Sequence, residues 1–301
     1  MINKKSKNDL DYKNLTTTGW ANYELLDSGN KKKLERFGAY HLIRFEPEAI
    51  WKPSLKKSIW DSADAEFTLP KSESKGLWTF RTKKIPPWSI SINGLRIVLE
   101  ISKSRHIGIF PEQLENWRWI EEKINTSRKK INILNLFGYT GIATLFAARA
   151  GACVTHVDAS RRAMEMGKNS ASLSRLADKP IRWLVDDTYK YIKREIRRGR
   201  KYDGIIMDPP KFGRGPKGEV WKFKKSITNL LALCGELLNN DPILLIITAY
   251  NIDHTPDELS FWLQNLMNDF SGRIEYGNLI QQEKSSGRKI HQAMYARWSS
   301  S

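Results

Sequence analysis

Residues 203–212 read Asp-Gly-Ile-Ile-Met-Asp-Pro-Pro-Lys-Phe, a short apolar run that stops at two consecutive prolines. Proline has no backbone N–H to donate, so a β-strand is predicted to end at Asp208. Ligands of open α/β sheets bind at the carboxyl ends of the strands. The Asp208 carboxylate, the carbonyls of Asp208 and Pro209 and the Phe212 ring then suit a planar group with N–H donors, such as a nucleobase. A strand followed by an ordinary proline turn is the alternative interpretation.

Residues 131–149, Ile-Asn-Ile-Leu-Asn-Leu-Phe-Gly-Tyr-Thr-Gly-Ile-Ala-Thr-Leu-Phe-Ala-Ala-Arg, predict a strand, a glycine turn and a helix. Glycine at 138 and 141 lets the backbone approach a ligand closely, and the new helix presents unpaired N–H groups to it. The next strand, 153–157, ends at Asp158. That acid follows Gly138 by twenty positions, the spacing of an acid that binds ribose hydroxyls.

A third strand, 181–185, ends in Asp186-Asp187, and a carboxylate there can accept from an exocyclic amine such as that of adenine. Three successive strand ends therefore predict a site for an adenosine-containing ligand. The loop matches neither the G-x-G-x-x-G pattern of dinucleotide sites nor a phosphate-binding Gly-Lys-Ser/Thr motif. A ligand without phosphates fits better, and S-adenosylmethionine is such a ligand.

With these segments, the chain resembles a class I S-adenosylmethionine-dependent methyltransferase of the ribosomal RNA type, in which the fourth motif reads Asp-Pro-Pro-Lys-Phe. The resemblance covers about half of the chain, and the residues that carry it are 105–117, 135–141, 157–160, 186–187 and 208–212. In that family, the stretch that matches Gly-Ile-Phe-Pro-Glu-Gln at 108–113 covers the cofactor.

The resemblance implies S-adenosyl-L-methionine as the cofactor and RNA, of the ribosomal class, as the partner. The cofactor-binding residues it implies are Phe110, Gln113, Asn135, Phe137, Gly138, Tyr139, Thr140, Gly141, Asp158, Ala159, Ser160, Asp186, Asp187 and Asp208. Either Asp187 or Asp186 would bind the adenine amine. The predicted catalytic residues are Asp208, Pro209, Pro210 and Phe212, where Asp208 and the Pro209 carbonyl orient the acceptor and Phe212 stacks on it.

The composition agrees with a polyanionic partner. Fifty Lys and Arg residues against 33 Asp and Glu give a formal net charge of +17, although a solvated basic surface is the simpler explanation. Basic and aromatic residues, Trp221 and Phe223 among them, interleave after the Asp-Pro-Pro motif and predict RNA contact. The cations predicted to bind RNA are Lys211, Arg214, Lys217, Lys222 and Lys224. The basic run 193–201 lies at a predicted helix end and is interpreted first as a solvated face.

Several classes of protein are excluded. Two cysteines, Cys153 and Cys234, cannot form a disulfide scaffold or a cysteine-based zinc site, and the five histidines lack metal-ligand spacing, so no metal is expected. No apolar stretch approaches the ~20 residues of a membrane span. The first residues lack the apolar core of a secretion signal, so a cytoplasmic protein is expected.

Three regions are predicted: a flexible basic tail (1–20), a small β-rich region (21–104) and a methyltransferase domain (105–301). Residues 21–104 either cap one edge of the main sheet or bind RNA, and both hypotheses stay open. The fold class is α/β, a Rossmann-like class I methyltransferase sheet that is mostly parallel. Two strands, 273–282 and 289–298, are joined by a short turn and should form an antiparallel C-terminal hairpin.

The chemistry depends on the acceptor atom. Methylation of cytosine C5 needs a thiolate nucleophile, and some relatives keep a cysteine after the fifth strand. Here residues 248–251 read Thr-Ala-Tyr-Asn, and Cys234 lies in an apolar helical pattern typical of a core. An amine or a ring nitrogen is therefore the expected acceptor. The rival hypotheses are a protein or small-molecule methyltransferase, a non-catalytic RNA-binding module and, more remotely, a nicotinamide dehydrogenase.

Overall fold

The computed structural model describes residues 8–69 and 76–300. The first part contains β1 (Asn8–Tyr12), β2 (Leu15–Thr16), β3 (Tyr23–Gly29), β4 (Lys32–Phe37), β5 (Tyr40–Phe45), α1 (Lys57–Asp61), β6 (Ala65–Thr68), β7 (Leu77–Phe80), β8 (Trp88–Ile92) and β9 (Leu95–Leu99). A 3₁₀ turn (Pro111–Gln113) precedes α2 (Leu114–Asn125), β10 (Asn132–Leu136), α3 (Ile142–Arg149), β11 (Cys153–Asp158), α4 (Arg161–Leu173), β12 (Ile181–Val185), α5 (Thr188–Arg197) and β13 (Gly204–Met207). The last part contains β14 (Phe212–Arg214), β15 (Val220–Lys222), α6 (Phe223–Gly235), β16 (Leu244–Ala249), α7 (Pro256–Leu266), β17 (Gly272–Gln282) and β18 (Lys289–Ser300).

The central sheet has the strand order β1-β17-β18-β16-β13-β10-β11-β12. The strands β16, β13, β10, β11 and β12 are parallel, whereas β18 lies antiparallel between β16 and β17. The predicted α/β fold, with a mostly parallel sheet and an antiparallel C-terminal hairpin, is confirmed.

The short apolar runs become central strands because both of their faces are buried. In β13, Ile205 and Met207 pack in one core cluster with α5, α6 and α7, while Ile206 packs with α2 and α3 on the other face. Side chains alternate across a strand, so only an uninterrupted apolar run can satisfy two cores. The apolar run ends at Met207, the last residue of β13, and Asp208 follows it at the sheet edge.

The prediction of a flexible tail for residues 1–20 is wrong for residues 8–16. Both β1 and β2 pair in parallel with β17 at the edge of the central sheet. The Asn8 amide donates to the Met267 carbonyl at 3.1 Å, and Trp298 Nε1 donates to Asn8 Oδ1 at 2.8 Å. Backbone pairing with an open sheet edge orders this polar segment, and composition does not reveal it. Residues 1–7, which the same prediction includes, lie outside the described residues.

The N-terminal region forms a sheet of order β3-β4-β5-β6-β7 and a separate hairpin, β8-β9. Its apolar residues share one core cluster with α2, α3 and α4, to which Ile90, Leu114, Phe146 and Ala171 all belong. The Val98 N–H also donates to Ser170 Oγ on α4 at 3.0 Å. This region therefore packs directly on the helices that flank the central sheet. No helix among the described residues is long and apolar enough to cross a membrane.

A buried ion pair lies inside the N-terminal sheet. Arg44 donates to both carboxylate oxygens of Glu35, at 2.7 and 2.8 Å, and the Tyr23 hydroxyl donates to the same carboxylate at 2.9 Å. Burial opposes the charge of Glu35, but Arg44 and Lys33 together lower its pKa below the usual value. Every charge in this group has a partner, so removing one leaves another buried and uncompensated.

We expect Glu35→Ala to lower the free energy of unfolding by about 3–5 kcal/mol, because Arg44 would stay buried without its partner. The matched control is Glu66→Ala, which breaks the surface pair with Lys32 and should cost less than about 1 kcal/mol. Urea denaturation measures both. Equal losses for the two variants would contradict the buried pair.

Candidate active site

The carboxyl ends of β10, β11, β12 and β13 open into one cleft with a volume of about 560 Å³. The predicted residues that line it are Phe110, Phe137, Tyr139, Asp158, Ala159, Ser160, Asp186, Asp187, Asp208, Pro210, Lys211, Phe212 and Arg214. A smaller depression beside it shares Phe110, Phe137, Tyr139 and Asp208 and adds Gln113, Asn135, Gly138 and Thr140. Neither lining includes Gly141 or Pro209. Most of the predicted site residues thus meet around one opening.

The loop after β10 has an unusual backbone. Phe137 and Tyr139 adopt φ values of 53° and 50°, and Gly141, which precedes α3, has φ of 77°. A Cβ at Gly138 would lie 2.4 Å from the His156 ring, and one at Gly141 would lie 2.8 Å from Trp183. The sequence predicts that these glycines let the backbone approach a ligand. The structure shows a further reason for glycine here, because both positions pack against aromatic rings behind the loop.

His156 supports this loop from the buried side. Its Nδ1 lies 2.9 Å from Thr144 Oγ1, which also accepts a hydrogen bond from Asn135 at 2.9 Å. Burial lowers the pKa of His156 to about 3, so the ring is neutral. Asn135 is only 2% exposed and is engaged in this contact. Asn135 borders the smaller depression, but its side chain is used to hold the loop through Thr144.

Asp158, at the end of β11, is fixed by two backbone donors. The Tyr139 N–H donates to Oδ2 and the Ser160 N–H to Oδ1, both at 2.8 Å. Burial raises the pKa of the carboxyl, while these two bonds oppose the rise. Each carboxylate oxygen has a second lone pair. Asp158 is therefore held in one orientation and can still accept from two neighbouring hydroxyls.

The two acids after β12 differ in how they are engaged. Asp186 forms an ion pair with Arg194 through Oδ2 and accepts the Asp187 N–H through Oδ1 at 2.8 Å. Asp187 caps α5 by accepting the Lys190 N–H through Oδ1 at 2.9 Å. Its Oδ2 faces Gly215, where a Cβ would approach to 3.0 Å. Asp187 is thus the better placed of the two to accept from an amine in the cleft.

The segment that precedes α2 contacts Asp208 directly. Gln113 Nε2 donates to Asp208 Oδ2 at 3.4 Å and to the Tyr250 hydroxyl at 3.2 Å, while its Oε1 accepts from Asn116 at 2.9 Å. The Phe110 ring lies 5.6 Å from that of Tyr139 and 5.2 Å from that of Tyr250. The predicted covering stretch therefore joins the glycine loop to the ends of β13 and β16.

Asp208 lies in a strongly acidic environment. Burial raises the pKa of its carboxyl, the charges of Glu112 and Asp158 raise it further, and together they bring it to about 8 against the donor Gln113. A cation in the cleft would favour the carboxylate form. The sulfonium and ammonium groups of S-adenosylmethionine are such cations, and Asp158 and Asp187 offer acceptors for its hydroxyls and amine. The residues present therefore fit this cofactor.

After the Asp-Pro-Pro motif, β14 and β15 form a short antiparallel hairpin. Trp221 Nε1 donates to the Pro210 carbonyl, and the Trp221 ring packs 5.0 Å from Phe137. Trp221 and Phe223 are 6% and 2% exposed, so they anchor the hairpin and are not available to RNA bases. These two aromatics therefore offer little surface to RNA, because interleaving in sequence does not reveal which face is buried.

The opposite face of the hairpin is exposed. Phe212 and Val220 are 53% and 57% exposed, and Phe212 pairs across the hairpin with Lys222. All five predicted RNA-binding cations are exposed: Lys211, Arg214, Lys217, Lys222 and Lys224. Lys211 forms a surface pair with Asp253 at 3.5 Å. An exposed aromatic ring among cations thus borders the cleft next to Asp208.

Tyr250 and Arg105 are cleft residues to which the sequence assigned no role. Tyr250 follows β16, and its contacts with Gln113 and Phe110 show that it belongs to the site.

Cys234 is fully buried in α6, and burial raises the pKa of its thiol to about 12. Neither Cys234 nor Cys153 lines the cleft. The described residues contain no group of three or more His, Cys, Asp or Glu that could hold a metal ion.

Comparison with known proteins agrees with this geometry. The model of the S-adenosylmethionine-dependent methyltransferase family matches residues 70–259. A crystal structure of such a methyltransferase from Agrobacterium tumefaciens is 36% identical, with a TM-score of 0.92 over 99% of this chain and 97% of that chain. A protein described as a methyltransferase and solved with S-adenosylhomocysteine is 19% identical, with a TM-score of 0.70 over 93% of this chain and 76% of that chain.

Among curated relatives, a ribosomal RNA large subunit methyltransferase I from Tolumonas auensis is 32% identical over 170 residues, 55% of this chain and 42% of that protein. The chain spans about 40% of the length of the curated relatives it matches. The family match covers more than half of the chain, and the Agrobacterium structure covers nearly all of it. The chain therefore belongs to the S-adenosylmethionine-dependent methyltransferase family.

Proposed function

We propose that this protein transfers the methyl group of S-adenosylmethionine to a base of RNA, with ribosomal RNA as the substrate class and the cytoplasm as its compartment. The observation that carries the proposal is the exposed Phe212 ring, which lies among cations and four residues from the cleft carboxyl of Asp208. The names of the curated relatives support the same substrate class. The net charge of +17 favours RNA over a protein or small-molecule acceptor.

The proposed roles of the residues follow from the cofactor's chemistry. When bound, S-adenosylmethionine supplies a methyl group that is already electrophilic, so the protein mainly positions the acceptor and adjusts electrostatics. We assign the ribose hydroxyls to Asp158 and the adenine amine to Asp187. Asp208 would accept an N–H group of the base and orient its lone pair, while Phe212 stacks on the ring. Pro209 is buried and lines neither opening, so its predicted contact with the base is not part of this assignment.

The cysteines favour nitrogen as the acceptor atom. Carbon C5 of a pyrimidine is weakly nucleophilic and is activated by a thiolate that forms a covalent adduct. The whole chain has two cysteines, of which Cys234 is buried in α6 and Cys153 begins β11. Neither borders the cleft. An amine or ring nitrogen needs no such nucleophile, since its own lone pair attacks the methyl group.

Methyl transfer with a labelled cofactor tests the proposed function. The protein is incubated with ribosomal RNA that lacks the modification, with protein extract, and with each after nuclease or protease treatment. Label in RNA that is lost after nuclease treatment supports the proposal. Label confined to protein would refute it.

We expect Asp208→Ala to lower the rate of methyl transfer by roughly 10²–10⁴-fold, the usual effect of losing one positioned catalytic group. Phe212→Ala should instead weaken productive RNA binding by ~1–3 kcal/mol through lost stacking, and appear mainly as a raised KM. Cys234→Ser is the control and should leave turnover nearly unchanged. Loss of activity in a folded Cys234→Ser protein, with Asp208→Ala still active, would require a covalent cytosine mechanism.

The raised pKa of Asp208 predicts a pH-dependent stability. The folded protein keeps this carboxyl protonated up to a pKa of about 8, whereas the unfolded chain loses the proton near pH ~4. The folded state then binds the extra proton in this window, so the stability that Asp208 contributes is lost as pH rises from ~4 to ~8.

Urea denaturation at several pH values should therefore show wild-type stability falling relative to Asp208→Asn between pH ~5 and pH ~8. Asp241→Asn, at a carboxyl whose side chain is 83% exposed, is the control and should run parallel to the wild type. Parallel curves for Asp208→Asn as well would mean that this carboxyl titrates normally.

Binding to structured RNA should weaken steeply with added salt, because each neutralised phosphate releases condensed counterions. Charge reversal at Lys217, Lys222 and Lys224 should flatten the slope of log K against log [salt] by up to ~2–3 units, without changing affinity for S-adenosylhomocysteine. Reversal at Lys130, Lys168 and Lys179, exposed lysines that lie outside the β14–β15 hairpin and α6, is the matched control. Equal slopes for both triple variants would place the RNA surface elsewhere.

A further inference from the structure

A second pocket opens beside the active-site cleft, between the N-terminal sheet and the methyltransferase core. Its volume is about 80 Å³, which is room for the edge of a base but not for a whole nucleoside. Polar side chains from both parts of the protein line it, among them Glu46, which follows β5, Arg105 before the 3₁₀ turn, and His291 on β18.

This pocket continues the cleft on one side only. The two share Arg105, His106, Phe110, Tyr250 and Asn251. The acids after β11 and β12, to which we assign the ribose and adenine of the cofactor, line the cleft but not the pocket. The pocket therefore lies away from those acids and next to Tyr250, which Gln113 links to Asp208. Tyr250 thus connects the pocket with the carboxyl to which we assign the orientation of the acceptor base.

Two of the three cations in the pocket already have partners. Arg44 is bonded to Glu35 through two nitrogens. Lys33 donates to Gln281 at 3.1 Å and to Gln292 at 3.0 Å, and lies 3.5 Å from Glu46. Both side chains are buried and already bonded, so they have few donors left for a ligand.

Arg105 is different. No carboxylate of the described residues lies within ion-pair distance of its guanidinium, and its one donated hydrogen bond is a long one, 3.4 Å to the Phe45 carbonyl. Burial lowers its pKa, and the neighbouring charge of Arg44 lowers it further. A guanidinium has five N–H donors. A partly buried arginine with donors to spare, at the junction of two openings, is suited to an oxygen acceptor on a ligand.

We propose that this pocket receives the polar edge of the acceptor base and that Arg105 donates hydrogen bonds to a ring carbonyl oxygen there. The inference rests on the proposed function. The base would stack near Phe110 and Phe212 while its edge enters the pocket, as arginine reads the carbonyl edge of guanine in other complexes. Guanine, uracil and cytosine carry such a carbonyl, and adenine does not. The N-terminal region would then form part of the acceptor site and not only a cap on the sheet.

Steady-state methylation of RNA by Arg105→Ala, Arg105→Lys and Lys103→Ala tests this assignment. Lys103 is an exposed cation two residues away that lines neither opening, so its removal controls for the loss of one positive charge. We expect Arg105→Ala to raise the KM for RNA by about 10–100-fold, with a smaller change in kcat. Arg105→Lys, which keeps the charge but not the two-pronged geometry, should recover part of this loss. Lys103→Ala should stay within about threefold.

Two further measurements separate the possible outcomes. Affinity for S-adenosylhomocysteine, measured by calorimetry, should be unchanged in both Arg105 variants, and the methylated nucleoside should be a guanosine, uridine or cytidine by mass. Equal effects of Arg105→Ala and Lys103→Ala, a loss of cofactor affinity in folded Arg105→Lys, or a methyladenosine product would each overturn the inference. A wild-type protein that methylates no RNA would refute the proposed function, and this inference with it, before any variant is compared.

Discussion

The parallel alignment of β10, β11, β12 and β13 is the constraint on which the site depends. Because these strands run in the same direction, their carboxyl ends meet at one edge of the sheet, and so do the acids that follow them. The strands stay in this arrangement because apolar side chains pack on both faces, as Ile205 and Ile206 do on opposite sides of β13. Apolar packing on both faces of the sheet thus positions the acids at its carboxyl edge.

Carboxylates that lie close together repel one another, and the surrounding residues stabilise each of them differently. Asp158 is held by two backbone N–H groups, and Asp186 is neutralised by Arg194. Among the described residues, only the Gln113 amide donates to the Asp208 side chain, and burial with the charges of Glu112 and Asp158 raises its pKa to about 8. The carboxyl with the least compensation is thus the one that follows β13. A cationic ligand would supply the missing charge, which fits the family to which the chain belongs.

The N-terminal region lines the pocket that adjoins the cleft. Its sheet buries the pair of Glu35 and Arg44 and shares an apolar cluster with α2, α3 and α4. The pocket at this junction contains Arg105, a cation without a carboxylate partner among the described residues. An acceptor that extends from the cleft into this pocket would therefore contact both parts of the protein.

The sequence by itself determined the fold class, the order of strand ends and the adenosine-type cofactor, because apolar runs, prolines and glycines are local signals with fixed spacing. It predicted Asp158, the pair Asp186-Asp187 and Asp208 at one edge, since parallel strands place their ends together. Only the tertiary structure decided which acid is already paired, which aromatics are buried, and that residues 8–16 join the sheet. Tyr250 and Arg105 enter the site through contacts between segments far apart in sequence. Pairing, burial and electrostatic environment depend on such contacts, and no local pattern encodes them.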